Sequence, residues 1–121
     1  MIKNLLYVAL GGGIGAALRY IITIMIKPQS FPFATLAINI TGSFLLGIII
    51  ASGIKSEWLN EQMKLFLATG ICGGFTTFSS FSGENIVLMQ EGKYDLAFLY
   101  ILISVVAGIL AAWLGFKLIQ Q

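Results

Sequence analysis

The chain has 121 residues, of which 58% are hydrophobic and 10% are charged, and its net charge is +2. Soluble domains contain about 25% charged residues, so this composition excludes an ordinary soluble domain and a nucleic-acid-binding protein. With no histidine and one cysteine, the chain also lacks the residues for a zinc cluster, an intrachain disulfide or a histidine-dependent triad. We therefore expect an integral membrane protein in contact with lipid, and not an enzyme.

Four stretches are long and apolar enough to cross a bilayer, which takes about 20 residues. The first is no cleaved signal peptide, because it contains Arg19 and lacks a small-residue cleavage site before its polar flank. We expect an all-α integral membrane protein with a single four-helix transmembrane domain over residues 1–121. Its predicted helices cover approximately residues 4–26, 33–53, 62–90 (with a break near 73–77) and 96–118.

The first predicted helix is rich in glycine. Small residues recur at four-residue spacing, as in the pair Gly11 and Gly15, a pattern that allows close approach of another helix. A dinucleotide-binding loop is disfavoured, because no strand precedes the glycines and no acid follows about 20 residues later. Arg19 has two open interpretations: it snorkels to the headgroups, or it pairs with a polar site in the bundle.

The second predicted helix follows a turn with two prolines, which cannot continue a helix. It contains the polar residues Thr35 and Asn39. An amide in hydrocarbon is costly without partners, so Asn39 either makes an interhelical hydrogen bond or faces an aqueous path. Trp58, in the loop after this helix, is a predicted interface anchor.

The third predicted helix has a weak centre. The glycines and threonines of 73–77 loosen a helix, and the hydroxyl residues Ser79 and Ser80 follow. Unpaired backbone groups cost several kcal/mol in lipid, so this segment must be buried in protein or face a polar cavity. We interpret it as a broken transmembrane helix that holds the functional site.

Such a break offers backbone groups that could bind a cation and an anion. Exposed carbonyl oxygens suit a hard cation, as in unwound transporter helices, and the N-terminus of the following half-helix favours an anion. Phe78 and Phe81 share one face of that half-helix, and their ring edges carry partial positive charge. Plain packing of these phenylalanines is the alternative.

The basic residues divide four against three between the two expected sides of the membrane when Arg19 is counted with Lys27 and Lys93, which is a weak positive-inside bias. Insertion in both orientations would allow an antiparallel homodimer with a two-fold axis in the membrane plane.

Three motifs in order resemble the small microbial fluoride channels of the Fluc/CrcB family over nearly the full chain. They are Gly11–Gly15 with Arg19, 39–47 beginning with Asn39, and 73–82 with Glu84. The resemblance implies a dual-topology antiparallel homodimer with two fluoride pathways and a structural Na⁺ at its centre. It implies Na⁺ ligation by the carbonyls of Gly73 and Thr76. The implied fluoride pathway contains Phe78, Phe81, Asn39, Ser79 and Ser80, and less directly Thr35, Arg19, Glu84, Tyr100 and Ser104.

The implied function is passive export of cytoplasmic fluoride across the cell (inner or plasma) membrane, which reduces fluoride toxicity. Two alternatives remain open. A proton-coupled small multidrug exporter also has four helices, but it needs an acid, usually in the first helix, where this chain has Arg19. A non-transporting assembly subunit would use its glycines only for helix packing.

Overall fold

A computed structural model describes residues 1–56 and 59–120 as an all-helical chain. Trp58, the predicted interface anchor, lies outside the described residues. Three long helices and one composite helical span, Glu61–Gln90, are long and apolar enough to cross a membrane. This confirms the predicted all-α class and the four spans within the described residues. The helices are α1 (Ile2–Met25), α2 (Phe33–Lys55), α3 (Glu61–Lys64), α4 (Gly73–Phe75), α5 (Phe78–Gln90) and α6 (Tyr94–Gln120), with a π-helix at Leu65–Cys72.

The third span (Glu61–Gln90) combines several helical geometries. The π-helix continues α3 and leads into the single turn α4, after which Thr76 (φ −79°, ψ 155°) and Thr77 (φ −148°, ψ 115°) are extended. π-helical hydrogen bonds are rare in proteins and frequent at functional sites. The sequence did not predict the π-helix, because no residue pattern distinguishes it from an apolar α-helix.

The helices pack as two close pairs, α1 with the third span and α2 with α6. In the first pair, a Cβ atom at Gly15 would overlap the carbonyl oxygen of Ile71, and in the second a Cβ at Gly47 would overlap that of Ala112. The backbones therefore approach more closely than any side chain would allow, which is the packing expected of membrane helices.

The buried core is small and is centred on Tyr100, which is fully buried beside Leu88 and Ala97. The Tyr100 ring makes edge contacts with Phe31 and Phe81, with centroid distances of 5.4 and 4.9 Å. Most large apolar side chains of α1 and α6 point outward instead. Such extensive apolar exposure is typical of a surface covered by lipid or by another subunit.

Candidate functional site

The interruption between α4 and α5 is held at both helix ends by threonine hydroxyls. Thr76 Oγ1 donates to the carbonyl of Cys72 (2.8 Å), near the end of the first helical segment. Thr77 is the N-cap of α5, and its Oγ1 accepts from the Ser80 amide (3.1 Å) and lies 3.3 Å from Ser79 Oγ. The Thr77 hydroxyl thus pairs an amide of the first turn of α5 that has no partner within the helix, and the Thr76 hydroxyl adds a second hydrogen bond to the Cys72 carbonyl, which also accepts from the Thr76 amide (3.0 Å).

Thr77→Val is expected to destabilise the protein by about 1 kcal/mol, the usual cost of losing an N-cap oxygen. Valine keeps the branched shape of threonine but cannot accept the Ser80 hydrogen bond. Thr77→Ser keeps the oxygen and serves as the matched control, so its unfolding midpoint in detergent should lie nearer that of the parent protein. Equal midpoint shifts for the two variants would contradict the capping role.

Asn39, on α2, pairs with both backbone groups of Thr77. Its Nδ2 donates to the Thr77 carbonyl (3.2 Å), and its Oδ1 accepts from the Thr77 amide (2.8 Å). The interhelical hydrogen bond, one of the two interpretations left open for Asn39, is therefore present. Asn39 also borders a cavity, so the two interpretations do not exclude each other.

The carbonyl groups around the interruption divide into occupied and available ones. The carbonyls of Cys72, Gly74 and Thr77 accept hydrogen bonds, and the donor to Gly74 is Arg19 Nε (3.1 Å). Arg19 therefore pairs within the bundle. Among the described residues, the carbonyl oxygens of Gly73, Phe75 and Thr76 accept none of these side-chain and turn hydrogen bonds. The carbonyls of Gly73 and Thr76, the predicted Na⁺ ligands, are therefore among the groups that keep oxygen lone pairs for another ligand.

Phe78 and Phe81 extend from the first turn of α5, with ring centroids 5.7 Å apart and an angle of 43° between the rings. Phe78 is 78% exposed in the single chain, whereas Phe81 is partly buried against Tyr100. Both border a cavity of about 370 Å³ between α2, the third span and α6. The same cavity is lined by Asn39, Ser43, Gly73, Thr76, Thr77 and Ser104.

A second cavity, of about 730 Å³, lies beside the turn between α1 and α2 and reaches Ser80 and Glu84 on α5. Glu84 accepts hydrogen bonds from Thr35 Oγ1 and Tyr100 OH, both at 2.8 Å. The structure thus joins Thr35, Glu84 and Tyr100 in one hydrogen-bonded network, and Glu84 is its member that lines this cavity. Ser79, in contrast, is exposed and lines neither cavity.

Two buried polar atoms have no partner among the described residues: Asn85 Oδ1 and Ser104 Oγ. Asn85 is 4% exposed, and its Nδ2 donates to the Phe81 carbonyl (2.9 Å). Sequence reasoning missed Asn85 as a candidate, although an amide directly after Glu84 in an apolar stretch was a usable signal. Asn85 lies four residues after Phe81, so it continues the face of α5 that carries Phe78 and Phe81 one turn further, and its side chain bonds back to the Phe81 carbonyl of the same helix.

The family model and the curated relatives that match this chain all describe one family of membrane proteins. The family model described as CrcB-like protein, Camphor Resistance (CrcB), matches residues 6–116. The protein named fluoride-specific ion channel FluC of Azobacteroides pseudotrichonymphae is 45% identical over 99% of this chain and 98% of its own length. The proteins of the same name from Flavobacterium psychrophilum and Phocaeicola vulgatus are 43% and 46% identical, over 98% and 93% of this chain and 98% and 95% of their own lengths. Together with the four apolar helices, these relatives indicate a multi-pass membrane protein.

Proposed function

Because this chain belongs to the CrcB-like protein family, we propose that it is a fluoride-selective channel that exports cytoplasmic fluoride passively. The observation that carries the proposal is the cavity of about 370 Å³, which joins the Phe78 and Phe81 rings, the Asn39 amide and the helix interruption. A channel needs weak contacts at several positions along its path. Neutral amides, hydroxyls and ring edges are groups of that kind.

The site of action in this proposal is the cell (inner or plasma) membrane, and the functional unit is an antiparallel homodimer. The third span then crosses the membrane as a broken helix, with Thr76 and Thr77 near the dimer axis. The high exposure of Phe78 and the outward apolar faces of α1 and α6 support a second copy and lipid as the missing neighbours. A second copy would also shield the extended backbone from hydrocarbon, where unpaired groups are costly.

Fluoride in this proposal moves along the face of α5. The positive end of the helix dipole and the free amides of its first turn lower the energy of an anion there. The edges of Phe78 and Phe81 add partial positive charge without a fixed cation, and the hydroxyls of Ser79, Ser80 and Ser104 replace part of the water shell. Thr35, Glu84 and Tyr100 would define the mouth of the pathway, and Arg19 would hold α1 against its wall.

A structural Na⁺ fits the residues present, because the carbonyls of Gly73 and Thr76 are available and Na⁺ prefers such oxygen ligands. Space is also available beside these residues, since Gly73 and Thr76 both line the cavity of about 370 Å³. The ion would supply a fixed positive charge between the two pathways. Gly73 and Thr76 would hold it through backbone oxygens from both copies.

The test of the proposed function is fluoride efflux from liposomes that contain the purified protein, measured with a fluoride electrode under a K⁺–valinomycin shunt. We expect rapid efflux that protein-free liposomes do not show. No efflux above these controls would refute the channel and favour a non-transporting assembly subunit. Uptake of a lipophilic cation driven by a pH gradient would instead identify a proton-coupled exporter.

Replacement of Na⁺ by N-methylglucamine throughout purification and assay is expected to abolish fluoride efflux. The central carbonyl groups would then face one another without a cation, and their repulsion would displace the interruption. Restoring Na⁺ should restore the rate, while K⁺ at the same concentration serves as the matched control. Full efflux in the absence of Na⁺ would show that the carbonyl site is not required.

A further inference from the structure

The geometry points to Asn39 as a positioning residue whose side chain aims two backbone groups of the interruption: the Thr76 carbonyl and the Phe78 amide. This inference rests on the proposed function and deepens it, because it assigns Asn39 a different role from that of a direct fluoride donor. The starting observation is the two-point contact between the Asn39 amide and Thr77, with hydrogen bonds of 2.8 and 3.2 Å.

The contact replaces hydrogen bonds that the helix cannot make. The Thr77 amide and carbonyl lie where regular helical bonding stops, and a buried backbone group without a partner carries a large desolvation cost. An asparagine side chain has the same donor and acceptor as a peptide group. The Asn39 side chain on α2 therefore takes the place of a peptide group and bonds to the backbone of Thr77 at the interruption.

Peptide planarity extends this contact to the neighbouring groups. The Thr77 amide belongs to the same planar trans peptide as the Thr76 carbonyl, so the two groups point in opposite directions. Since Asn39 Oδ1 holds the Thr77 N–H, the Thr76 oxygen must point away from the Asn39 side chain. This oxygen is the available carbonyl proposed as a cation ligand.

The same argument applies to the next peptide. The Thr77 carbonyl is held by Asn39 Nδ2, so the Phe78 N–H in that peptide plane points the opposite way. It is one of the first-turn amides of α5, which have no partner within the helix. One side chain on α2 thus sets the directions of a group suited to a cation and a group suited to an anion.

The first test is residue-resolved amide hydrogen exchange in fluoride-free buffer, followed by NMR. In the parent protein, the Thr77 amide should exchange about tenfold more slowly than the Phe78 amide, as expected for one hydrogen bond. Asn39→Ala should remove this difference, and Ser43→Ala, which loses a hydroxyl from the same cavity, should preserve it. Equal exchange of Thr77 and Phe78 in the parent protein would overturn the inference without any variant being needed.

The second test separates positioning from direct contact with fluoride. Asn39→Ala should raise both the Na⁺ concentration needed for half-maximal efflux and the half-saturating fluoride concentration about tenfold, because the Thr76 carbonyl and the Phe78 amide lose their fixed directions together. A shift in fluoride saturation alone would identify Asn39 as a fluoride donor and refute the positioning role. If Asn39→Ala does not fold, Asn39→Asp takes its place, because it keeps the oxygen that accepts from Thr77 and should keep that amide protected.

The two proposals fail in different ways. Loss of fluoride efflux from the parent protein would refute the channel, whereas the exchange experiment measures the interruption without any transported ion. A protected Thr77 amide in a protein that moves no fluoride would support the positioning role in a different functional setting.

Discussion

Gly15→Ala is expected to destabilise the protein by about 3 kcal/mol, the upper part of the usual range for overpacking. The added methyl group would overlap the Ile71 carbonyl oxygen and lie 2.8 Å from the Phe75 amide nitrogen. Both obstacles are backbone atoms, so no side-chain rotation relieves the clash. The α1 helix would have to move away from the third span, directly beside the interruption.

Gly13→Ala is the matched control, because it makes the same chemical change in the same glycine-rich segment. A Cβ atom at Gly13 meets no atom within 4 Å, and alanine favours the helix over glycine by about 1 kcal/mol. The measurement is the thermal unfolding midpoint in detergent together with the yield of folded protein. Equal losses for the two variants would show that the α1 packing differs from the structure described here.

Phe78→Ile is expected to lower fluoride efflux about tenfold, which corresponds to a loss of ~1.4 kcal/mol of stabilisation along the pathway. Isoleucine keeps an apolar side chain but has no ring edge to offer an anion. Phe78 is a better position for this test than Phe81, because its ring is 78% exposed in the single chain and its replacement removes few packing contacts. Phe81 packs on Tyr100, so its replacement would change stability together with transport.

Phe98→Ile serves as the control for Phe78→Ile. Phe98 is also an exposed ring, at 67%, but it lies on α6 and lines neither cavity. Efflux rates should be normalised to the amount of correctly assembled protein from size-exclusion chromatography. Unchanged efflux in Phe78→Ile would remove the aromatic edge from the mechanism, and an equal loss in Phe98→Ile would indicate a general effect of the outer surface.

The sequence was sufficient to predict the fold class and the family. Apolar length alone defines the four spans, and the three motifs that begin at Gly11, Asn39 and Gly73 resemble the family whose model matches residues 6–116. Apolar length and sequence motifs are properties of contiguous residues, so they can be recognised without coordinates. Contact of Na⁺ and fluoride with the named residues, and the antiparallel homodimer, stay predictions.

Only the tertiary structure decided which groups face each other. Arg19 and Asn39 each had two interpretations, and both bond across helices to backbone carbonyls near the interruption. Gly13 and Gly15 are equivalent in the sequence, yet only Gly15 lies against another backbone. The physical reason is that helix rotation and close approach depend on packing between distant segments. Residue type determines what a side chain can donate or accept, and packing determines which partner it meets.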